Sequence, residues 1–424
     1  MRQRGGNVRH ASASAERLCT LKRTMPPRIA TRRRLPSLAC YAMSSMIALT
    51  ITLLLASTPQ PALALEHVTV ALPGQPENKL SGEPIVEARD GGMLLKTADG
   101  AIHRLPGSTI RDRKSDSEPL VPLTREELTA QLLAELPAGF RIHNSKNYIV
   151  CYNTTPTYAE WTSSLLERLQ RAFISYWKKQ KSPVKEPEQP LVVLVFADQA
   201  SYADYSKKDL GASVSNIIGY YNLETNRIMM YDLTGMQAFR QNAGARGSRH
   251  DISTLLSQPE AEPLVATIVH EATHQIAFNC GLQTRMVSNP FWLTEGMATF
   301  FETPDLASSR SWSGIGNVNY SRFDLFHDNY DAGKIIPLER MLTDDKLFQT
   351  PETAVDSYAQ AWAWNYFLIR SRPKEYAAYM KTIAAKPVLV EDKKGQRVKE
   401  FRAAFGDDLK TLEDDFYRMM NRVK

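Results

Sequence analysis

Cysteine is scarce in this chain, with four residues in 424. Cys19 and Cys40 fall in the first 64 residues, which leaves Cys151 and Cys280 for everything after them. A disulfide framework is excluded. One bond is the most that can form, and we expect none, because Cys280 reads as a small buried apolar residue. A basic surplus is also missing once the N-terminal stretch is set aside. The whole chain carries a formal +6, but residues 1–64 hold ten Arg and Lys against Glu16 alone. Removing that +9 from +6 leaves −3, which excludes the electrostatic footprint of a nucleic-acid binder. A membrane span is lacking as well. The apolar run centred on Met46–Ala56 is short for one and is followed by Pro59 and Pro61.

That run fits an export signal instead. Thr31-Arg32-Arg33-Arg34 precedes it, and Ala62-Leu63-Ala64 follows as an A-x-A cleavage pattern. The mature chain is therefore expected to begin at Leu65 and to act in the periplasm or outside the cell, with no stable membrane span. An uncleaved N-terminal anchor is the alternative. The basic region is long for a signal, so Met25 is the expected translation start.

With 43% hydrophobic residues, the chain can bury one large core or two moderate ones. Residues 65–118 read as a small β-barrel-like module, with strands at His67–Leu72, Pro84–Ala88, Met93–Thr97 and Ala101–Leu105 between Gly-containing turns. A polar linker, Arg111–Pro122, follows it. Residues 119–424 read as a second domain of α+β class. It opens on a capping box, Thr124 with Glu127. It continues through a strand from Tyr148, an amphipathic helix to Lys179, a buried strand Leu191–Phe196 and a hairpin across Gly219–Asp232. Leu233–Glu262 has no clear period and reads as a connection. The remainder is helical, notably Asp356–Ile369, and no repeat or heptad run interrupts it.

Chemistry concentrates in Pro263–Glu302. His270-Glu271-Ala272-Thr273-His274 is an H-E-x-x-H within a run of apolar residues at helical spacing, with Pro263 at its start and Gly281 beyond its end. Positions four apart share a helix face, so both imidazoles can reach one metal ion. Glu271 lies beside them and can take a proton from a water that a metal such as zinc has acidified. Two histidines leave a catalytic zinc one protein ligand short. Glu295 is the candidate third ligand, a carboxylate among apolar residues in a second helix that starts at Asn289-Pro290, with Asn289 as its cap. The plain alternative is that both histidines are satisfied core residues.

On His270-Glu271-x-x-His274 followed by Trp292-Leu293-x-Glu295-Gly296-x-Ala298, the chain resembles the gluzincins, the thermolysin-like zinc peptidases of the peptidase MA superfamily. More narrowly, it resembles an uncharacterised family of secreted bacterial gluzincin-like proteins. The resemblance extends loosely from Asn147 to Arg370. It implies a mixed-sheet lobe, a zinc helix and a helical C-terminal lobe. It also implies Zn²⁺ on His270, His274 and Glu295, Glu271 as general base, and a peptide or protein as substrate. An edge strand before the zinc helix would pair with that substrate, and Arg227–Tyr231 is the candidate, an ordinary interior strand being the alternative. Tyr358, with His327 second, is the candidate donor to the oxyanion. The family often carries an acidic residue four after the third ligand to orient the first histidine. Here that position is Thr299, and Glu302 is the possible substitute. His250 reads as a surface residue. A non-catalytic zinc-containing envelope scaffold of the same fold is the rival reading, and the presence of Glu271 counts against it.

Overall fold

The structure is a computed structural model. It describes residues 65–423 apart from 72–75, 236–247, 304–305 and 307–311. Residues 1–64, where the sequence reads as an export signal, lie outside the described residues. The fold is α+β, with two five-stranded sheets and a predominantly helical C-terminal half. No helix among the described residues is long and apolar enough to cross a membrane.

The first sheet is an antiparallel meander of β1 (Glu66–Val70), β2 (Asn78–Glu87), β3 (Met93–Thr97), β4 (Ile102–Leu105) and β5 (Ile110–Ser115), in the order β4-β3-β2-β1-β5. No ladder joins β4 to β5, so the sheet is open where a barrel-like closure was expected. Strand β5 lies where the sequence reads as a polar linker. Its residues Ile110-Arg-Asp-Arg-Lys-Ser115 pair with β1 while their side chains stay largely exposed, so there is no apolar alternation to reveal it. Charged side chains on such an edge discourage pairing with other chains.

The second sheet comprises β6 (Arg141–Asn144), β7 (Tyr148–Tyr152), β8 (Leu191–Phe196), β9 (Gly219–Asn222) and β10 (Arg227–Tyr231), in the order β6-β7-β8-β10-β9. β7, β8 and β10 run parallel to one another, while β6 and β9 are antiparallel edges. Every residue of β8 is buried, as a near-continuous Val/Leu/Phe run in a covered parallel strand should be. Helices α1 (Arg125–Glu135) and α2 (Pro156–Lys179) precede β6 and β8, and α3 (Gln199–Leu210) precedes β9. The capping box at α1 forms in full: the Thr124 side chain accepts from the Glu127 amide and Glu127 accepts from that of Thr124.

A short helix, α4 (Arg249–Leu256), occupies part of the stretch read as an unstructured connection. It is capped by Ser248 and Asp251, and buries only Ile252 and Leu256. Two apolar contacts four apart are too few to register as a period. The chain then builds α5 (Glu262–Asn279), α6 (Phe291–Phe301), α7 (Tyr320–Asp331), α8 (Leu338–Thr343), α9 (Pro351–Ser371), α10 (Pro373–Ala384), α11 (Gln396–Phe405) and α12 (Leu409–Met420). One large core runs from α1 through both the second sheet and these helices. Cys151 and Cys280 are both buried in it and unbonded.

Candidate metal centre

Helix α5 packs against α2, α6 and strands β9 and β10. Its apolar residues Val265, Ile268, Val269, Ala272, Ile276 and Ala277 are buried, and so are its polar residues His270, Glu271, Thr273, His274 and Gln275. Burying five polar side chains in one helix is costly unless each finds a partner. The histidines find theirs one turn apart and across the α5–α6 contact. His270 Nε2 and His274 Nε2 lie 3.1 Å apart, and Glu295 Oε2 lies 3.1 Å from the first and 3.5 Å from the second. Glu295 is only 1% exposed.

These three distances test whether a metal fits. A tetrahedral zinc with Zn–N and Zn–O bonds of about 2.0–2.2 Å puts neighbouring ligand atoms roughly 3.3–3.5 Å apart. Three donors at 3.1, 3.1 and 3.5 Å match that spacing closely. Among the described residues, His270, His274 and Glu295 are the group of metal-ligating side chains whose donor atoms converge, all within 4.8 Å of one another. Without a metal, His270 Nε2 and the Glu295 carboxylate lie within direct hydrogen-bond distance. Burial disfavours the charged imidazole of His270, but the hydrogen bond to Glu295 and the charges of Glu302, Glu295 and Glu271 outweigh it and raise its pKa to about 9. Burial also opposes the Glu295 carboxylate, yet the charges and hydrogen bonds of the two histidines hold its pKa down at about 2.

Helix α6 delivers Glu295 through an unusually close approach to α9. A Cβ on Gly296 would sit 2.0 Å from Asn365 Nδ2 and 2.5 Å from the Ala361 carbonyl oxygen, so only glycine fits. Asn365 Nδ2 donates to the Trp292 and Ala361 carbonyls at 2.9 and 2.8 Å, and its Oδ1 accepts from Tyr376 at 2.6 Å. The start of α6 differs from the expected one. Pro290, not Asn289, holds the capping position, and Asn289 Nδ2 instead donates to the Thr284 carbonyl. The first amide of the helix, at Phe291, donates to Asp345 Oδ1 at 3.1 Å, a cap supplied from a distant segment.

Thr299 does not face an imidazole: its hydroxyl donates back to the Glu295 and Gly296 carbonyls of its own helix. Glu302 is the carboxylate that faces His270 Nδ1, as an ion-pair neighbour beyond hydrogen-bond reach. Its Oε1 lies 3.7 Å from His270 Nδ1, and its carboxylate is held by Arg322 at 3.1 Å and by Asn319 Nδ2 at 3.2 Å. Glu302 is seven residues after Glu295, two helical turns on, so the spacing itself was a signal for it.

Glu271 is buried, and its carboxylate accepts from the Tyr221 amide at 2.8 Å. Tyr221 belongs to β9, the edge of the sheet that lies against α5. The sequence-based candidate for that edge, Arg227–Tyr231, is β10, an interior strand paired on both sides. Tyr358 on α9 is close to the centre, with its ring 6.3 Å from that of His270 and the Arg322 guanidinium 5.7 Å above it. His327 packs against Phe323 and Phe326 on α7. His250 is exposed on α4.

Residues missed at the sequence level form a row along α5. Gln275 and Asn279 follow Glu271 at intervals of four, and all three contact the β9–β10 hairpin. That spacing was visible in the sequence, but its target was not. Residues 264–389 match a family model described as "Protein of unknown function (DUF1570)". No curated protein matches the chain.

Proposed function

We propose that the chain is an exported zinc-dependent metallopeptidase of gluzincin type, hydrolysing peptide bonds in a peptide or protein substrate. The observation that carries this reading is the convergence of His270, His274 and Glu295 at tetrahedral ligand spacing, with a second carboxylate, that of Glu271, buried beside them and outside the ligand set. Such a carboxylate has no use in a purely structural centre, where four protein ligands close the metal.

Bound there, Zn²⁺ supplies Lewis acidity, which acidifies a water and polarises a carbonyl. Glu271 takes the proton of the attacking water and returns it to the departing amine nitrogen. The Tyr221 amide, donating at 2.8 Å, keeps that carboxylate aimed and ties it to the sheet edge. The peptide lies along β9 as an added strand, using backbone groups that have no further strand to pair with. Tyr358, beside His270, donates its hydroxyl proton to the carbonyl oxygen as that oxygen gains charge. The Glu302 carboxylate, 3.7 Å from His270 Nδ1, favours a proton on that nitrogen and so leaves Nε2 free to face the metal.

The test uses fluorescein-labelled casein and the mature chain from Leu65. Glu271→Gln is expected to bind zinc like the wild type and to lose activity by a factor of about 10³ or more, and Tyr358→Phe to lose about 10–100-fold in kcat. Full activity in Glu271→Gln rules the mechanism out.

A further inference from the structure

The β9–β10 hairpin is gripped from two sides. On one side is the polar row of α5. Beyond the Glu271–Tyr221 contact, Gln275 Nε2 donates to the Asn226 carbonyl at 2.9 Å, and the side-chain amides of Asn279 and Asn226 exchange hydrogen bonds at 2.7 and 2.8 Å. Asn226 sits at φ +60°, the left-handed conformation that closes the turn.

On the other side stands the N-terminal sheet. The Ile102 amide, on the outer edge of β4, donates to the Glu224 carbonyl in the turn at 2.8 Å. Asp99, in the β3–β4 turn, reaches Arg227 at 3.6 Å, with both side chains largely buried. Arg285 spans the two bodies. Its Nη2 donates to the Gly100 carbonyl at 2.8 Å and its Nη1 to the Leu223 carbonyl at 3.0 Å. Leu94 and Ile102 of the sheet pack with Met286, and Leu223 of the turn rests on them. A four-residue edge strand with one neighbour has little of its own to prevent local opening.

We propose that the N-terminal sheet is a brace for the edge of the cleft, with Arg285 as its positioning residue. By clamping the β9–β10 turn it keeps the Tyr221 backbone aligned with Glu271 and keeps β9 laid out for a peptide strand. The inference rests on β9 being the substrate edge.

The mature chain and its Arg285→Ala variant are compared by hydrogen exchange, zinc content and steady-state kinetics on fluorescein-labelled casein. Loss of a charge-assisted bridge is expected to speed exchange in the 219–222 segment about tenfold, while α5 and β8 keep wild-type protection. Zinc content stays that of the wild type, and KM rises about three- to tenfold, because strand pairing is equal in ground and transition states, while kcat falls by a smaller factor as the Tyr221 amide holds Glu271 less firmly. Arg285→Lys, which can satisfy one carbonyl but not bridge two, does not restore the wild-type pattern. Unchanged exchange at β9, equal acceleration in α5 and β8, or a fall in kcat at constant KM would each overturn the brace. A wild type that holds no zinc and cleaves nothing defeats the peptidase reading instead, and the exchange comparison then decides whether the hairpin is braced at all.

Discussion

Gly296→Ala sets two effects of opposite sign against each other. Inside a helix, alanine is favoured over glycine by about 1 kcal/mol. Against that gain, the new methyl group would stand 2.0 Å from Asn365 Nδ2 and 2.5 Å from the Ala361 carbonyl oxygen. Both are far inside van der Waals contact. Overpacking of this kind costs about 1–3 kcal/mol, and pushing Asn365 aside forfeits hydrogen bonds worth about 1 kcal/mol each. Three such bonds meet at that side chain, to Trp292, to Ala361 and from Tyr376. The net expectation is a loss of about 2–4 kcal/mol, read as a lower urea midpoint at unchanged m-value. Because Glu295 precedes Gly296, any outward shift of α6 also carries this candidate ligand away from the histidines, so zinc affinity should fall with stability. Adding Asn365→Ala removes one obstacle but leaves the Ala361 carbonyl, and should not rescue the variant. A Gly296→Ala protein as stable as the wild type, or more so, would refute the claim that close approach of α6 to α9 requires this glycine.

Two further expectations concern the centre itself. In the metal-free protein His270 is held up at about 9, so below that pH zinc must displace a proton, and affinity should rise about tenfold per pH unit between pH 7 and 9 before levelling. The same groups set the stability of the metal-free chain. The raised His270 stabilises fully below its ordinary pKa of about 6.5 and loses that contribution as pH rises through about 9. The depressed Glu295 stabilises above its ordinary 4.5 and loses that contribution as pH falls towards about 2. Urea unfolding after chelation should therefore show these two contributions together only between about pH 4.5 and 6.5. Glu302→Gln removes the charge facing His270 Nδ1 and should weaken zinc binding about 10–100-fold by chelator competition, whereas Thr299→Ala should leave it unchanged.

Periodicity and motif spacing carried much of this reading. The apolar repeats around His270 and along Asp356–Ile369 correspond to α5 and α9, and the all-apolar run Leu191–Phe196 is a buried strand. The three candidate ligands do meet. What escaped depends on partners distant in sequence. Strand β5 is charged because it is an edge, and α4 buries too little to show a period. Nothing local says that β9 lies outside β10, since sheet order is settled by long-range pairing. The cap on α6 comes from Asp345, beyond the reach of local capping rules. Thr299 stands at the spacing where an acidic residue was sought, but its hydroxyl is satisfied by its own helix and the carboxylate comes one turn later.

The metal assignment is tested most directly by elemental analysis of the chain from Leu65 onward beside the His270→Ala/His274→Ala variant. About one zinc per chain, lost in the variant, is the predicted result. A wild type that takes up no more zinc than the variant after reconstitution at pH 8 would contradict it and return both histidines to the role of core residues.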